Sequence, residues 1–296
     1  MENNLELNTG KSIDVRKAYS PLKEMWRILS KNKAAMVGLA IIVILIFVAL
    51  FGKILMPYDP YKGDLSQSLK PPSPSHIFGI DEQGRDILSR VIDGTKISLR
   101  VGIFAVAIAL TSGIILGSAA GYYGGKTDMI IMRIMDIILA FPSMLLAIAF
   151  MSALGKGIDK AIVAISIVTI PEYARIVRGS ILSVKENEYV QAARIVGNSD
   201  AAIIFKHILP NVMSPIIVRA TLGISTAILD TSALGFLGLG VQPPYAEWGS
   251  MLGSGRGYFS NAPHIILFPG LAITITVLAF NLLGDGLRDA LDPKLR

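Results

Sequence analysis

The residue pattern that comes closest to a site for chemistry is Gly121-Tyr-Tyr-Gly-Gly-Lys-Thr127. A phosphate-binding loop needs a glycine, four residues and then Gly-Lys-Ser/Thr, so that backbone N–H groups surround a nucleotide phosphate. Here alanine occupies position 120, Gly121 stands one residue too close, and a long apolar run precedes the motif. The sequence therefore gives no reason to expect ATP binding by this chain.

Other residue types that carry out catalysis are absent or isolated. The chain has no cysteine, so it has no thiolate nucleophile, disulfide or Cys-ligated metal. Its three histidines stand far apart in sequence, at His76, His207 and His264, and each is expected to be structural. No His/Asp/Glu group has metal-ligand spacing, and no serine stands beside a candidate base. The sequence predicts no catalytic, cofactor-binding or metal-binding residue.

Charged residues within apolar segments are the remaining candidates for function. Two pairs of opposite charge stand at i and i+3, a spacing that places both members on one helix face. A charge at bilayer depth is costly and should face protein or a cavity, so we expect each pair to form an ion pair, with a place on the solute route as the alternative. Each of these two spans also contains a proline, which permits a bend. The candidate gate or pathway residues are Arg133, Asp136, Pro142, Pro171, Glu172 and Arg175.

Composition indicates a membrane protein. Of 296 residues, 52% are hydrophobic and 17% are charged, and the mean hydropathy is +0.56. These values lie outside the range of soluble globular proteins. The net charge of +6 comes from basic residues dispersed between apolar runs, which does not favour nucleic-acid binding. The first apolar run is too long for the core of a cleavable signal peptide.

The elements that must position these residues are membrane-spanning helices. Six apolar segments are long enough to cross a bilayer, so the predicted fold is all-α and polytopic. They cover residues 34–56, 97–122, 128–154 with a break at Pro142, 161–182, 211–232, and 264–283 with an interruption at Pro269-Gly270. We divide the chain into a first part at 1–96, with a basic tail, one span and an external loop, and a five-helix core at 97–296.

Charge distribution predicts the orientation. With six spans, 17 basic residues fall on the side of the N-terminus and 8 on the other. Basic residues concentrate on the cytoplasmic side, which places both termini and the loop at about 183–210 in the cytoplasm. Small residues recur every four positions in the second span and should permit close helix packing, within this chain or against another subunit. They are Ala105, Ala109, Gly113, Gly117 and Gly121.

The long polar insertion at residues 188–210 predicts a helix–turn–helix elbow. Tyr189, Ala193, Val196 and Gly197 share one face of a first helix, which Gly197 should end in the left-handed conformation. Ser199 is expected to cap a second helix, with Asp200 in its first turn. On that helix Ala201, Phe205 and Leu209 share a face, and Pro210 is expected to end it. Such an amphipathic elbow needs a partner, unless it folds back on its own helices.

The spacing of Ala192-Ala193, Gly197 and Ile208-Leu209-Pro210 resembles the coupling loop of bacterial ABC importer permeases. In that family the loop inserts into a groove of a cytoplasmic ATPase subunit. The family's leading Glu is Gln191 here, which leaves any salt bridge at that point in doubt. The resemblance implies an ATPase-coupling site formed by Glu188, Tyr189, Gln191, Ala192, Ala193, Gly197, Asp200, Ile208, Leu209 and Pro210.

Three further segments resemble the C-type subunits of dipeptide, oligopeptide and nickel importers. They are residues 78–90, the glycine-rich segment 234–249, in which Tyr245 and Trp248 suit a membrane interface, and the C-terminal residues 281–296. The resemblance spans about 71–296 and implies the type I ABC importer permease fold in a bacterial or archaeal inner membrane. It implies as partners a second permease, two ATPase subunits that use ATP and Mg, and an external solute-binding protein.

The function expected from this resemblance is half of a translocation pathway for di- or oligopeptides, with no enzymatic activity of its own. Nickel or another small solute is the alternative within the same machine. From the residues alone, an ATP-independent secondary transporter or channel is a second class, but it would need several ionisable groups at mid-membrane positions. The charges here lie mostly near span ends, and the elbow would then have no role.

Overall fold

A computed structural model describes residues 21–292 of the chain, and these residues form helices joined by loops. The basic residues Lys11, Arg16, Lys17, Lys294 and Arg296, which contributed to the predicted orientation, lie outside the described residues. The helices are α1 (Pro21–Leu29), α2 (Lys33–Leu55), α3 (Ile87–Tyr123), α4 (Gly125–Leu139), α5 (Ser143–Leu154), α6 (Ile158–Val184), α7 (Glu188–Ile195), α8 (Asp200–Ala202), α9 (Met213–Phe236), α10 (Trp248–Gly255) and α11 (His264–Leu291).

The all-α polytopic fold is confirmed, whereas the count of six spans is only partly reproduced. Four helical stretches among the described residues are long and apolar enough to cross a membrane: Lys33–Leu55, Ile87–Tyr123, Asp200–Phe236 and His264–Leu291. The pair α4 and α5 is bent by 91° at residues 140–142 and adds a fifth, with the break at the predicted proline. The remaining predicted span, the fourth at 161–182, corresponds to α6, whose apolar sequence is interrupted by Glu172, Arg175 and Arg178.

Two helix boundaries differ from the predictions. The second span begins ten residues earlier than expected, because Asp86 caps α3 by accepting a hydrogen bond from the Ser89 N–H at 2.8 Å. The predicted boundary between 96 and 97 therefore lies inside α3. The interruption expected at Pro269 is wrong, because α11 continues through it. Pro269 lies in the second turn, where its missing N–H removes one helical hydrogen bond.

The small-residue ladder of α3 packs against α6 of this same chain, which settles the choice that the sequence left open. A Cβ atom at Gly117 would meet the Ala174 carbonyl oxygen at 2.5 Å, and one at Gly121 would meet the Arg178 carbonyl oxygen at 3.1 Å. At Gly113 the added atom would overlap Tyr173. The two backbones therefore lie close together, and α3 with α6 forms a tightly packed pair at the centre of the bundle.

One end of the bundle is closed by a cap, which we define as residues 57–86 together with 237–263. Asp81 accepts a hydrogen bond from Arg85 Nε at 2.7 Å, and Arg90 donates to the Pro60 carbonyl at 2.9 Å. Trp248 is fully buried and donates from Nε1 to the Val91 carbonyl at 3.1 Å. Trp248 is therefore enclosed by the cap, and its indole N–H is satisfied there instead of by a membrane interface. Tyr245 is exposed.

The fully buried Glu247 carboxyl makes the cap sensitive to pH. Glu247 caps α10 by accepting hydrogen bonds from the Gly249 and Ser250 N–H groups, each at 2.8 Å. Burial nevertheless raises the pKa of Glu247 to about 7 from its usual value of 4.5. A carboxyl whose pKa is raised by folding contributes its full stability below pH 4.5, and this stability is lost as the pH rises through 7.

We expect the free energy of unfolding to fall by roughly 3 kcal/mol at most between pH 4.5 and 8 on account of this one group. Chemical denaturation of the detergent-solubilised protein across that range measures the change. Glu247→Gln, which does not titrate, should flatten the profile in that interval. An unchanged profile in Glu247→Gln would show that another group is responsible.

Candidate functional site: an exposed elbow and a charged cavity

The turn of the elbow forms as the sequence predicted. Gly197 has φ of +86° and donates from its N–H to the Arg194 carbonyl at 2.9 Å, which ends α7 in the left-handed conformation. The Asn198 side chain donates to the Ala193 carbonyl at 3.0 Å and closes the turn. Ser199 then caps α8 by accepting from the Ala202 N–H at 3.4 Å. The two limbs of the elbow are thus fixed by local hydrogen bonds.

The second limb does not end at Pro210, contrary to the prediction. After α8 the chain forms a π-helical segment at Ile203–Ile208 and a 3₁₀ segment at Leu209–Val212, and it then enters α9. Leu209 donates its N–H to the Ile204 carbonyl, five residues back, so the turn is wider than in an α-helix. Pro210 follows in the first turn of the 3₁₀ segment, where its missing N–H is tolerated. The elbow therefore continues into a membrane-crossing helix without an intervening loop.

The inner face of the elbow packs on the bundle. Val190 and Ala193 of the first limb are buried, and Ala193 is only 6% exposed. They join one apolar cluster with residues of the second limb and of α6, namely Ile203, Ile204, Ile208, Leu209, Val177 and Ile181. Part of the amphipathic elbow thus folds back on this chain's own helices.

The outer face of the elbow is apolar and bare. Ile195 is 86% exposed, Val196 81% and Phe205 58%. The predicted faces are therefore wrong in part, since Ala193 and Leu209 point to the core while Val196 and Phe205 point away. We call the side chains of Tyr189, Ile195, Val196 and Phe205 the elbow knob. Exposed apolar side chains rimmed by polar ones are typical of a docking surface.

The remaining predicted coupling residues surround this knob. Glu188, Gln191 and Ala192 are exposed on the first limb, and Pro210 is exposed on the second. Gln191 donates from its side-chain amide to the Glu186 carbonyl at 3.2 Å, which ties the first limb to the segment that follows α6. Ile195 was missed by the sequence reasoning. The signal for it was an Ile-Val pair directly before the turn glycine, in an otherwise polar segment.

Tyr122, at the end of α3, holds both limbs of the elbow. Its hydroxyl donates to Asp200 Oδ1 at 2.8 Å, and the Arg194 guanidinium lies over its ring at 5.1 Å. Tyr122 itself is buried. Tyr122 therefore links both limbs of the elbow to α3, which is packed closely on α6. Sequence reasoning missed Tyr122, because nothing in the local pattern places it beside residues more than 70 positions later.

Both predicted ion pairs within single helices are wrong. Asp136 accepts instead from Arg175 Nη2 of α6 at 2.6 Å, and Glu172 pairs with Arg219 of α9. Arg178, which the sequence reasoning did not select, holds Asp128 of α4 through two contacts of 2.5 and 2.6 Å. In each case the arginine on the neighbouring helix lies closer to the carboxylate than the arginine on the same helix does, and it forms the charge-assisted hydrogen bond or ion pair.

The Asp136–Arg175 and Asp128–Arg178 pairs line an open cavity of about 570 Å³ between α4 and α6. It lies in the half of the bundle that carries the elbow, because α4 starts directly after the elbow end of α3. Three of the six predicted pathway residues line it, and Pro142, Pro171 and Glu172 do not. The lining residues are Asp128, Met129, Met132, Arg133, Asp136, Arg175 and Arg178.

The charges of this cavity are poorly shielded by the chain itself. Arg175 and Asp136 are each about half exposed although they lie in helices of the bundle. Placing a charged side chain against lipid costs roughly 3 kcal/mol on insertion scales. This face therefore requires water or another protein surface. Among residues 21–292 no group of three or more His, Asp or Glu side chains could hold a metal ion.

Comparison with known proteins gives two family matches. Residues 113–296 match the family described as binding-protein-dependent transport system inner membrane component. Residues 20–72 match the N-terminal transmembrane domain of oligopeptide transport permease C.

Curated relatives resemble the chain over nearly its whole length. The dipeptide transport system permease protein DppC of Alkalihalophilus pseudofirmus is 50% identical, over 98% of this chain and 96% of the relative. The di/tripeptide transport system permease protein DppC of Pseudomonas aeruginosa is 47% identical, over 94% and 93%. The glutathione transport system permease protein GsiD of Escherichia coli is 47% identical, over 94% and 92%.

Among solved structures, a chain of the inward-facing MetNI methionine ABC transporter superposes with a TM-score of 0.54 at 21% identity. The match covers 70% of this chain and 96% of that chain. At this identity the likeness concerns the fold alone.

Proposed function

The chain belongs to the family of binding-protein-dependent transport system inner membrane components, and from this premise we propose that it forms half of the pathway of an ATP-driven peptide importer. It has the helical fold of an ABC importer permease. Its role is to provide a route through the bilayer and to receive movement from separate motor subunits. ATP and Mg are used by those subunits.

Di- or oligopeptides are the solutes that the relatives favour. The three relatives above carry names that refer to dipeptides, di/tripeptides and glutathione, all of which are short peptides or peptide-like molecules. A shared chemical class among relatives at 47–50% identity supports the same class here.

The elbow knob is the observation that carries the coupling role. Its apolar side chains are exposed among the described residues, while the opposite face of the same elbow is packed on the bundle. Such a knob, held at a fixed angle, suits a groove on a partner, in which burial of its apolar area stabilises the complex. We assign the groove to a cytoplasmic ATPase subunit, and this places the elbow and both termini in the cytoplasm.

The mechanism follows from how the elbow is attached. When the two ATPase subunits close on ATP, they move the elbow. Tyr122 and the buried face of the elbow pass this movement to α3 and α6, and the second limb passes it directly to α9. The bend between α4 and α5 gives these helices room to reorient as the pathway changes the side to which it opens.

The complete machine contains a second homologous permease, which closes the other half of the pathway, and an external solute-binding protein. The cap faces outward in this arrangement and meets the binding protein. No nucleic acid is involved, and the lipid bilayer covers the apolar outer faces of the spans.

A crosslink tests the coupling role. The chain has no cysteine, so Val196→Cys introduces a single thiol. In the complete importer, reconstituted in vesicles with the permease, ATPase subunits and binding protein encoded beside this chain, we expect it to crosslink to an ATPase subunit. Leu65→Cys, in the cap and equally bare, should not.

Peptide uptake by the same vesicles should require ATP and the binding protein. Crosslinks from position 196 only to this chain's own helices would contradict the docking role. Full uptake without nucleotide, driven by an ion gradient, would instead identify a secondary transporter.

A further inference from the structure

We propose that the cavity between α4 and α6 is part of the solute pathway and that Arg133 binds the C-terminal carboxylate of a passing peptide. This inference rests on the proposed function and adds to it a specific contact and a specific group on the solute.

The charges in the cavity leave Arg133 as the group that is available to a ligand. Three arginines and two aspartates line the cavity. Each aspartate is already held by an arginine of α6, Asp128 by Arg178 and Asp136 by Arg175. Arg133 is exposed and forms no ion pair or hydrogen bond with any other residue of 21–292. The cavity therefore carries one uncompensated positive charge, which favours an anion.

The guanidinium group suits a carboxylate in particular. Its N–H donors form a planar fork that matches the two carboxylate oxygens, and it stays charged at any physiological pH. Each short peptide has one carboxylate at its C-terminus whatever its side chains are. A contact to that group lets a pathway accept peptides of many sequences.

Other features of the cavity fit a peptide that passes through. Its volume of about 570 Å³ lies in the range of small-ligand sites, and it is open to the outside of the chain, so that a solute can enter and leave. Met129 and Met132 form its apolar lining, and methionine adapts to side chains of different shape. The two ion pairs beside Arg133 add polar side chains to the lining of the cavity. Each pair has no net charge, so they do not cancel or add to the charge of Arg133.

Lipid is not a suitable neighbour for this face. α4 presents two different surfaces, an apolar one that includes the exposed side chains of Ile130, Ile134 and Ile137, and the charged one with Arg133 and Asp136. The apolar surface fits lipid. The charged surface fits water or another protein surface, and we assign it to the side that borders an aqueous route.

Amidated peptides test the contact. Transport by the reconstituted importer is measured at saturating solute-loaded binding protein for one peptide with a free C-terminus and for its C-terminal amide. We expect the native chain to carry the free acid roughly fivefold faster than the amide, a modest factor because the site is hydrated. Arg133→Gln should reduce that ratio to about one, and Arg133→Lys should retain part of it.

Every variant is measured with the same binding protein. Any preference of that protein for the free acid or the amide therefore contributes equally to each ratio and does not affect the comparison between variants. Lys126→Gln is the matched control, since Lys126 is an exposed basic residue of α4 that does not line the cavity. It should leave the ratio unchanged. Equal slowing of both peptides by Arg133→Gln would overturn the inference, because it would show a structural role only.

A thiol-accessibility measurement tests the location independently of the solute. Arg133→Cys and Ile134→Cys each place one thiol in a chain that has none. In the assembled importer a water-soluble sulfonate thiol reagent should modify position 133, and peptide turnover should slow that reaction. Position 134, on the apolar surface, should react poorly. If the Arg133→Cys variant did not react with the reagent, the cavity would be covered and could not be a solute route.

Failure of this inference differs from failure of the proposed function. If the native vesicles show ATP-dependent uptake but Arg133→Gln keeps the native ratio, only the Arg133 contact is wrong. If the native vesicles show no ATP-dependent peptide uptake, the proposed function itself is wrong.

Discussion

Val196→Asp is expected to abolish ATP-dependent uptake and to leave the chain folded in the membrane. Val196 is 81% exposed in the chain alone, so a carboxylate there stays in water and costs little stability. In the docked complex the same carboxylate would be buried against an apolar groove with no partner, which costs several kcal/mol. We therefore expect uptake and ATPase binding to fall by about 100-fold or more.

Matched substitutions separate docking from folding. Ser183→Asp adds the same charge at an exposed position of α6 outside the elbow knob, and it should transport normally. Ala193→Asp should also abolish uptake, but for a different reason, because Ala193 is buried and the change would disrupt the elbow itself. Co-purification with the ATPase subunits and limited proteolysis measure the two effects. Normal uptake by Val196→Asp would remove the knob from the mechanism.

Gly117→Leu is expected to prevent correct packing of the central helix pair. Even a single added carbon at Gly117 would meet the Ala174 carbonyl oxygen at 2.5 Å and Val177 Cβ at 2.8 Å. Backbone atoms of α6 cannot move aside without separating the helices, so the destabilisation should be about 3 kcal/mol or more. We expect the Tm of the purified protein in detergent to fall by roughly 5–10 °C.

The control for this change lies on the partner helix. Gly179 of α6 has no atom within 4 Å of the position that a Cβ would occupy, and its φ requires no glycine. Gly179→Leu should therefore leave the Tm almost unchanged. If both substitutions had the same effect, the loss would come from leucine in a membrane helix and not from the α3–α6 contact.

Local features could be predicted from the sequence because their causes are local. The turn at Gly197 needs a residue that tolerates positive φ, and the cap at Ser199 needs a side-chain acceptor three residues before a free N–H. The break at Pro142 follows from the missing proline N–H. The membrane class follows from long apolar runs, each of which can be read without knowing its neighbours.

Pairing of charges could not be predicted, because it depends on which helices become neighbours. The i,i+3 spacing made Asp136 and Arg133 plausible partners, but α6 brings Arg175 closer. The same holds for Glu172 and Arg219. Because both aspartates pair with arginines of α6, Arg133 has no ion-pair partner among residues 21–292 at the cavity.

The sequence by itself determined that this is an all-α membrane protein with a glycine-turned elbow, because apolar length, turn chemistry and capping act within a few residues. Only the tertiary structure decided which side of the elbow is exposed, that Trp248 is enclosed, and that the small-residue ladder of α3 packs against α6. Amphipathic periodicity identifies a face but not its neighbour. Burial is a property of two surfaces together, and the second surface comes from residues far away in the chain.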